Sequence, residues 1–138
     1  MKEYVDSSVL LRIVLNSPMA LNEWKNFRYP SSSALLQVEC LRTIDRLQLT
    51  GELKQHEVAL TYAALHEMMG RTELLKIDMD VIERAGGSFG LPLKTLDAIH
   101  LVTAIVWRER LSDEVTFATH DKSLAAAART YHFPVIGA

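Results

Sequence analysis

The fold is decided near the start of the chain by residues 2–14, which read KEYVDSSVLLRIV. Residues 2–5 are typical of a short strand, and residues 6–8 of the turn into an apolar helix. Asp6 therefore stands where the strand ends. In an open parallel α/β sheet, ligands bind in the crevice outside the carboxyl ends of the strands, so a carboxylate at this position predicts a site there.

The composition indicates one globular domain, residues 1–138, long enough to bury a core without disulfide or metal staples. The single cysteine, Cys40, excludes an intramolecular disulfide and fits a reducing compartment, so we expect a cytoplasmic protein. The sequence contains neither a signal peptide pattern nor 18 consecutive apolar residues, which predicts no membrane association. A net charge of -2 gives no global attraction for nucleic acid, so such binding requires a local patch.

The rest of the chain alternates between helical and strand patterns, with short connections. We expect residues 29–33 to be a connector or a very short strand, and the glycine-rich residues 86–92 to be a surface loop without phosphate-binding spacing. This alternation predicts a three-layer α/β/α fold with a central, mostly parallel sheet. Helices are expected over residues 9–15, 19–28, 35–49, 52–69, 78–85, 96–110 and 122–131, and further strands over 74–79, 115–118 and 133–136.

Four acids share one placement: Asp6, Glu39, Asp97 and Asp121 each lie where a strand ends or a helix begins. Taken singly, each acid is explained as a residue that caps a helix N-terminus. Gathering partly buried carboxylates costs desolvation and mutual repulsion, and a divalent cation between them removes that cost. A site with only oxygen ligands favours Mg²⁺ or Mn²⁺, which suits metal-assisted phosphodiester hydrolysis.

Four segments carry a resemblance that spans essentially the whole chain. They are YVDSSVL at 4–10, SALLQVECLR at 33–42, LDAIHLVTA at 96–104 and FATHDKSLAAAA at 117–128. In this order the segments resemble the PIN domain, most closely the VapC-type toxin ribonucleases. The resemblance implies a Mg²⁺- or Mn²⁺-dependent endoribonuclease that cleaves RNA and is the toxin of a type II toxin-antitoxin system. It also implies a cognate antitoxin protein, a homodimer and a toxin-antitoxin hetero-oligomer.

The resemblance also implies residue roles. Asp6 and Asp97 match the principal metal ligands of the family, whereas Glu39 and Asp121 match acids that complete the catalytic pocket. Thr119 matches a supporting hydroxyl. His100 is interpreted as a packed helix histidine, because the family motif has a histidine here without a catalytic role. Further candidates, for holding substrate phosphates or equally as surface charges, are Arg12, Arg42 and Lys122.

Other functions remain as alternatives. A PIN nuclease of RNA maturation or decay would act without an antitoxin, and a catalytically silent PIN-like module would only bind a partner. The presence of all four acids argues against the silent module. A receiver domain needs an acidic pair after the first strand, and an aspartyl phosphatase needs Asp-x-Asp, whereas this chain has Ser7 and Ser8 after Asp6.

Overall fold

A computed structural model of the chain describes residues 2–138. Strands and helices alternate through this region, as the sequence pattern predicts. The strands are β1 (Lys2–Val5), β2 (Ser31–Ser33), β3 (Glu73–Leu75), β4 (Val115–Ala118) and β5 (Val135–Ile136). The helices are α1 (Ser7–Val14), α2 (Leu36–Leu49), α3 (Gln55–Gly70), α4 (Met79–Ala85), α5 (Thr95–Leu111) and α6 (Lys122–Thr130).

Within residues 2–138, the five strands form one sheet in the order β3-β2-β1-β4-β5, and every pair of neighbours is parallel. The central strand β1 pairs along its whole length with β4, from Lys2 opposite Val115 to Val5 opposite Ala118. Helices cover both faces of this sheet. The three-layer α/β/α fold is therefore confirmed, with a sheet that is wholly rather than mostly parallel.

The two central strands alternate their side chains between the two faces, because successive residues of a strand point in opposite directions. Tyr4 and Phe117 pack on one face, in a cluster with residues of α5 and α6 such as Leu101. Val5 and Ala118 pack on the other face, in a cluster with residues of α1, α2 and α3. Each face of β1 and β4 is thus buried, so the carboxyl ends of these strands are fixed relative to the helices.

The helix expected over residues 19–28 is wrong. Of these ten positions, all within the described part of the chain, only Asn22–Asn26 is helical, as a 3₁₀ turn. Leu21, Trp24 and Phe27 are buried as expected, but their spacing of three matches the three residues per turn of a 3₁₀ helix. The apolar side chains thus pack in the core without a longer α-helix.

Two helices begin slightly earlier than expected, α1 at Ser7 and α5 at Thr95. Asp6 occupies the N-cap position of α1, and Lys94 that of α5. The Ser8 hydroxyl donates to the Asp6 carboxylate and accepts from the His120 backbone N–H. Asp6 and Asp97 thus lie at the helix starts, where they were expected.

Helix α5 is 17 residues long and is buried along its central turns, from Ala98 to Val106. It packs against the sheet, against α4 and against α6. Its first turn carries Asp97. No helix within residues 2–138 is long and apolar enough to span a bilayer.

Candidate active site

The strand order places a crevice at the carboxyl ends of β1 and β4. The chain leaves β1 toward β2 and β3, then returns to the other side of β1 to form β4 and β5. Such a reversal separates the connections that follow the two central strands, and ligands of open α/β sheets bind in the resulting crevice. Asp6 follows β1 directly, and Thr119 follows β4 directly.

Asp6 is a buried carboxylate, only 4% exposed. Its Oδ2 accepts a hydrogen bond from the Thr119 hydroxyl at 2.9 Å, and its Oδ1 accepts one from the Ser8 hydroxyl. Burial raises the pKa of Asp6, although nearby His100 and these hydroxyls act in the opposite direction. The folded chain therefore holds a carboxylate that is poorly solvated and would gain from a cation.

Thr119 joins Asp6 to the start of α6. Besides donating to Asp6, its hydroxyl oxygen accepts the Asp121 backbone N–H at 3.0 Å. The Asp121 Oδ1 accepts the Leu124 backbone N–H at 2.8 Å, so this acid caps α6. Asp121 is thus a helix cap, and its carboxylate also faces the cleft described next.

Asp97 lies in a cleft of ≈ 350 Å³ that it lines together with Asp121 and Lys94. Burial raises the pKa of Asp97, and the charges of Asp121, Asp6 and Glu39 raise it further. Asp97 and Asp121 thus share this cleft, and Asp6 and Glu39 lie close enough to Asp97 to affect the pKa of its carboxyl group.

Glu39 is held by two side-chain hydrogen bonds. Its Oε1 lies 2.6 Å from Nε2 of His100, and its Oε2 accepts from the Ser7 hydroxyl at 3.2 Å. Nδ1 of His100 lies 2.8 Å from the Tyr4 hydroxyl. Burial lowers the pKa of His100, but the hydrogen bond and charge of Glu39, aided by Asp6 and Asp97, outweigh it and leave the pKa raised.

The donor set fits a cation such as Mg²⁺ or Mn²⁺, because the acids at the crevice offer oxygen ligands and two of them have raised pKa values. Among the residues that the structure describes, no three His, Cys, Asp or Glu side chains converge closely enough to enclose an ion. Mg²⁺ commonly takes one or two carboxylates, several waters and substrate phosphate oxygens. A site with only two carboxylate ligands, such as Asp6 and Asp97, is consistent with this mode of Mg²⁺ coordination.

The two arginine candidates have partners other than the four acids. Arg12 donates to the Met19 carbonyl at 3.2 Å, and Arg42 pairs with Asp45 at 3.1 Å on the exposed surface of α2. Lys122 is exposed at the first position of α6, next to Asp121. The sequence reasoning missed Lys94, which lines the cleft; its place just before the helix that carries Asp97 was the available signal.

A larger cavity, ≈ 580 Å³, lies between α4, the glycine-rich loop and the start of α5. It is lined mainly by apolar residues, Phe89, Leu91 and Ile99 among them, and by no charged side chain. Leu93 lines both this cavity and the acidic cleft. This cavity is the larger of the two, but the acids and their hydrogen bonds make the smaller cleft the candidate active site.

Comparison with known proteins agrees with this geometry. The family model of the PIN domain matches residues 4–130. The chain is 33% identical over 137 residues to Ribonuclease VapC46 of Mycobacterium tuberculosis, an alignment that covers 96% of this chain and 95% of that protein. The chain therefore belongs to the PIN-domain family, and its resemblance to the VapC-type members is confirmed.

Proposed function

We propose that the chain is a Mg²⁺- or Mn²⁺-dependent endoribonuclease, the toxin of a type II toxin-antitoxin system, acting in the cytoplasm as a single PIN-like nuclease domain over residues 1–138. The observation that carries this proposal is geometric: buried Asp6, held by Thr119, stands at the strand-order reversal, and Asp97 and Asp121 line the cleft there. The similarity to a protein named as a ribonuclease supports RNA as the substrate.

In the proposed reaction, Asp6 and Asp97 would hold the ion, while Thr119 and Ser8 fix the Asp6 carboxylate through their hydroxyls. A bound divalent ion supplies two effects, a lower pKa of a coordinated water and stabilisation of negative charge on the phosphate in the transition state. Glu39, held by His100 and Ser7, orients the attacking water and accepts its proton.

Three hydroxyls beside the acids have carboxylate partners: Ser7 donates to Glu39, and Ser8 and Thr119 donate to Asp6. We assign them to holding these carboxylates in place. The proposed reaction is therefore hydrolysis by water, without a covalent intermediate on the protein.

Lys94 is exposed beside Asp97 in the cleft, where its ammonium group would attract a substrate phosphate that the acids otherwise repel. Lys122 has a comparable position beside Asp121, at the exposed start of α6. We assign the phosphate-holding role to these two lysines ahead of Arg12 and Arg42, whose guanidinium groups have other partners.

Expression in a bacterial host tests the toxin assignment. Induction of the wild-type chain is expected to arrest growth and to produce discrete RNA fragments with defined ends, whereas Asp97→Asn, which removes one proposed metal ligand, should do neither. A cognate antitoxin, sought among small proteins encoded beside this gene, should restore growth when co-expressed. It should also co-purify with the chain, in the hetero-oligomer containing a homodimer that the VapC resemblance implies. Cleavage without growth arrest, and without a co-purifying partner, would contradict the toxin role and favour a nuclease of RNA maturation or decay.

A further inference from the structure

We propose that His100 is a positioning residue, held by Tyr4, that fixes the Glu39 carboxylate in the cleft. The proposal rests on the proposed function, because Glu39 is assigned there to orient the attacking water. It gives a role to a side chain that the sequence alone marks only as a packed histidine.

The contact between His100 and Glu39 defines the direction of the hydrogen bond. An ionised carboxylate can only accept, so Nε2 of His100 donates to Oε1 across the 2.6 Å separation. The Ser7 hydroxyl donates to Oε2 at 3.2 Å. Each oxygen of Glu39 is thus held by one donor, from α5 on one side and from α1 on the other, which restricts the rotation of a long side chain.

The other nitrogen of His100 is held just as firmly. Its Nδ1 lies 2.8 Å from the Tyr4 hydroxyl, whose oxygen also accepts the Ser33 backbone N–H at 3.1 Å. Tyr4 is fully buried and stacks on Phe117 with ring centroids 5.1 Å apart. The imidazole is therefore anchored, through Tyr4, to the central strands β1, β2 and β4.

This chain of contacts runs from the core to the cleft. Tyr4 is 0% exposed and His100 is 1% exposed, whereas the Glu39 side chain is 15% exposed. Burying a polar ring costs free energy unless both of its nitrogens find partners, and here the outer partner is a proposed catalytic acid. Second-layer hydrogen bonds of this kind preorganise a reactive carboxylate, and their loss typically costs about 10- to 100-fold in activity.

Two amide substitutions separate positioning from packing. In His100→Gln, the side-chain amide nitrogen can take the place of Nε2 and donate to Glu39. In His100→Asn, the shorter amide reaches only toward Tyr4. Both variants place a polar side chain of similar size at the same buried position. Thr103→Val is the matched control, since Thr103 is buried on the same helix and its hydroxyl donates only to the Ile99 carbonyl, 2.6 Å away.

The experiment measures RNA cleavage, with Mn²⁺, by these variants in the wild-type and Glu39→Gln backgrounds. We expect His100→Asn to lower kcat about 10- to 100-fold with little change in KM, and His100→Gln to retain most of the wild-type kcat. Thr103→Val should leave kcat unchanged. In the Glu39→Gln background, His100→Asn should cost less than about twofold, because the residue through which it acts is already altered.

A measurement on the metal-free protein tests the contact itself. The Nε2 proton of His100 should give a slowly exchanging ¹H–¹⁵N resonance that shifts in Glu39→Gln and stays in place in Thr103→Val. Equal losses of kcat from His100→Asn in both backgrounds, or equal losses in the Asn and Gln variants, would overturn the positioning role. Wild-type protein that cleaves no RNA with any divalent metal would contradict the proposed function, and the positioning role would fall with it.

Discussion

Asp6 and Asp97 both have a raised pKa, and burial is the first cause for each. A carboxyl group whose pKa is higher in the folded than in the unfolded chain opposes folding at neutral pH. This opposition weakens as the pH falls through the folded pKa and is gone below the unfolded pKa. In the metal-free protein, ionised Asp6 and Asp97 therefore lower the free energy of unfolding.

Asp97→Asn is expected to raise the melting temperature of the metal-free protein at pH 7, because it removes a charge that three other acids repel. The gain should shrink as the pH falls and disappear below about 3.9, the ordinary pKa of an aspartate. Thermal melts in EDTA across this pH range measure the effect. Asp78→Asn is a control in which the opposite effect is expected. The hydrogen bond from Arg110 lowers the pKa of Asp78, so removal of the Asp78 charge should reduce stability at pH 7.

Thr119→Val preserves the shape of the side chain and removes the hydroxyl that joins Asp6 to the Asp121 backbone. Because Thr119 is fully buried, we expect a loss of about 1–3 kcal/mol in the free energy of unfolding, measured by urea titration. RNA cleavage should fall as well, since Asp6 loses one of its two hydroxyl donors. An unchanged cleavage rate in a folded Thr119→Val protein would contradict a supporting role for this hydroxyl.

At the scale of elements, Asp121 combines a structural role with a proposed catalytic one, because it caps α6 and also lines the cleft. Asp121→Asn keeps a good capping side chain and should retain stability while losing cleavage. Asp121→Ala should lose both, with about 1 kcal/mol of stability from the missing cap. Asp78 caps α4 in the same way, so Asp78→Ala should lose similar stability with no effect on cleavage. Full activity of Asp121→Asn would show that Asp121 only caps α6 and takes no part in cleavage.

The sequence predicted elements best where one periodicity dominated. Helices α2, α3 and α5 were expected within a few residues of their observed limits, because their apolar spacing matches only an α-helix. The prediction of an α-helix over residues 19–28 was wrong because apolar residues spaced by three fit both an α-helix and a 3₁₀ helix. Strand β2 was ambiguous because Ser31–Ser33 has no strand propensity, and partners elsewhere satisfy its hydroxyls, such as the Val5 carbonyl for Ser32.

The acids of the candidate site could be predicted from their places at strand ends and helix starts. The side chains that hydrogen-bond to these acids could not. His100 and Glu39 are 61 positions apart, and no local pattern links them. The same is true of Thr119 and Asp6, which are 113 positions apart and meet because β4 pairs with β1. Such contacts depend on the strand order of the sheet. The alternation of helices and strands in the sequence does not determine that order.

At the scale of the whole molecule, the strand order converts separate local features into one charged crevice. A divalent ion that binds this crevice in the folded chain alone should stabilise the fold by mass action, by about 2.7 kcal/mol at a concentration 100 times its Kd. We therefore expect Mn²⁺ to raise the melting temperature of the wild-type protein and to have little effect on Asp97→Asn. An equal shift in both proteins would indicate that the metal binds elsewhere.

Cleavage of total cellular RNA by the purified protein is the most direct test of a metal-dependent ribonuclease at this crevice. The assay compares Mg²⁺, Mn²⁺ and EDTA, with Asp97→Asn prepared in parallel and shown to be folded. We predict fragments with either metal, none with EDTA, and a rate at least about 100-fold lower for Asp97→Asn, since the ion contributes several kcal/mol to the transition state. Cleavage that survives EDTA, or that is equally fast in Asp97→Asn, would contradict the account.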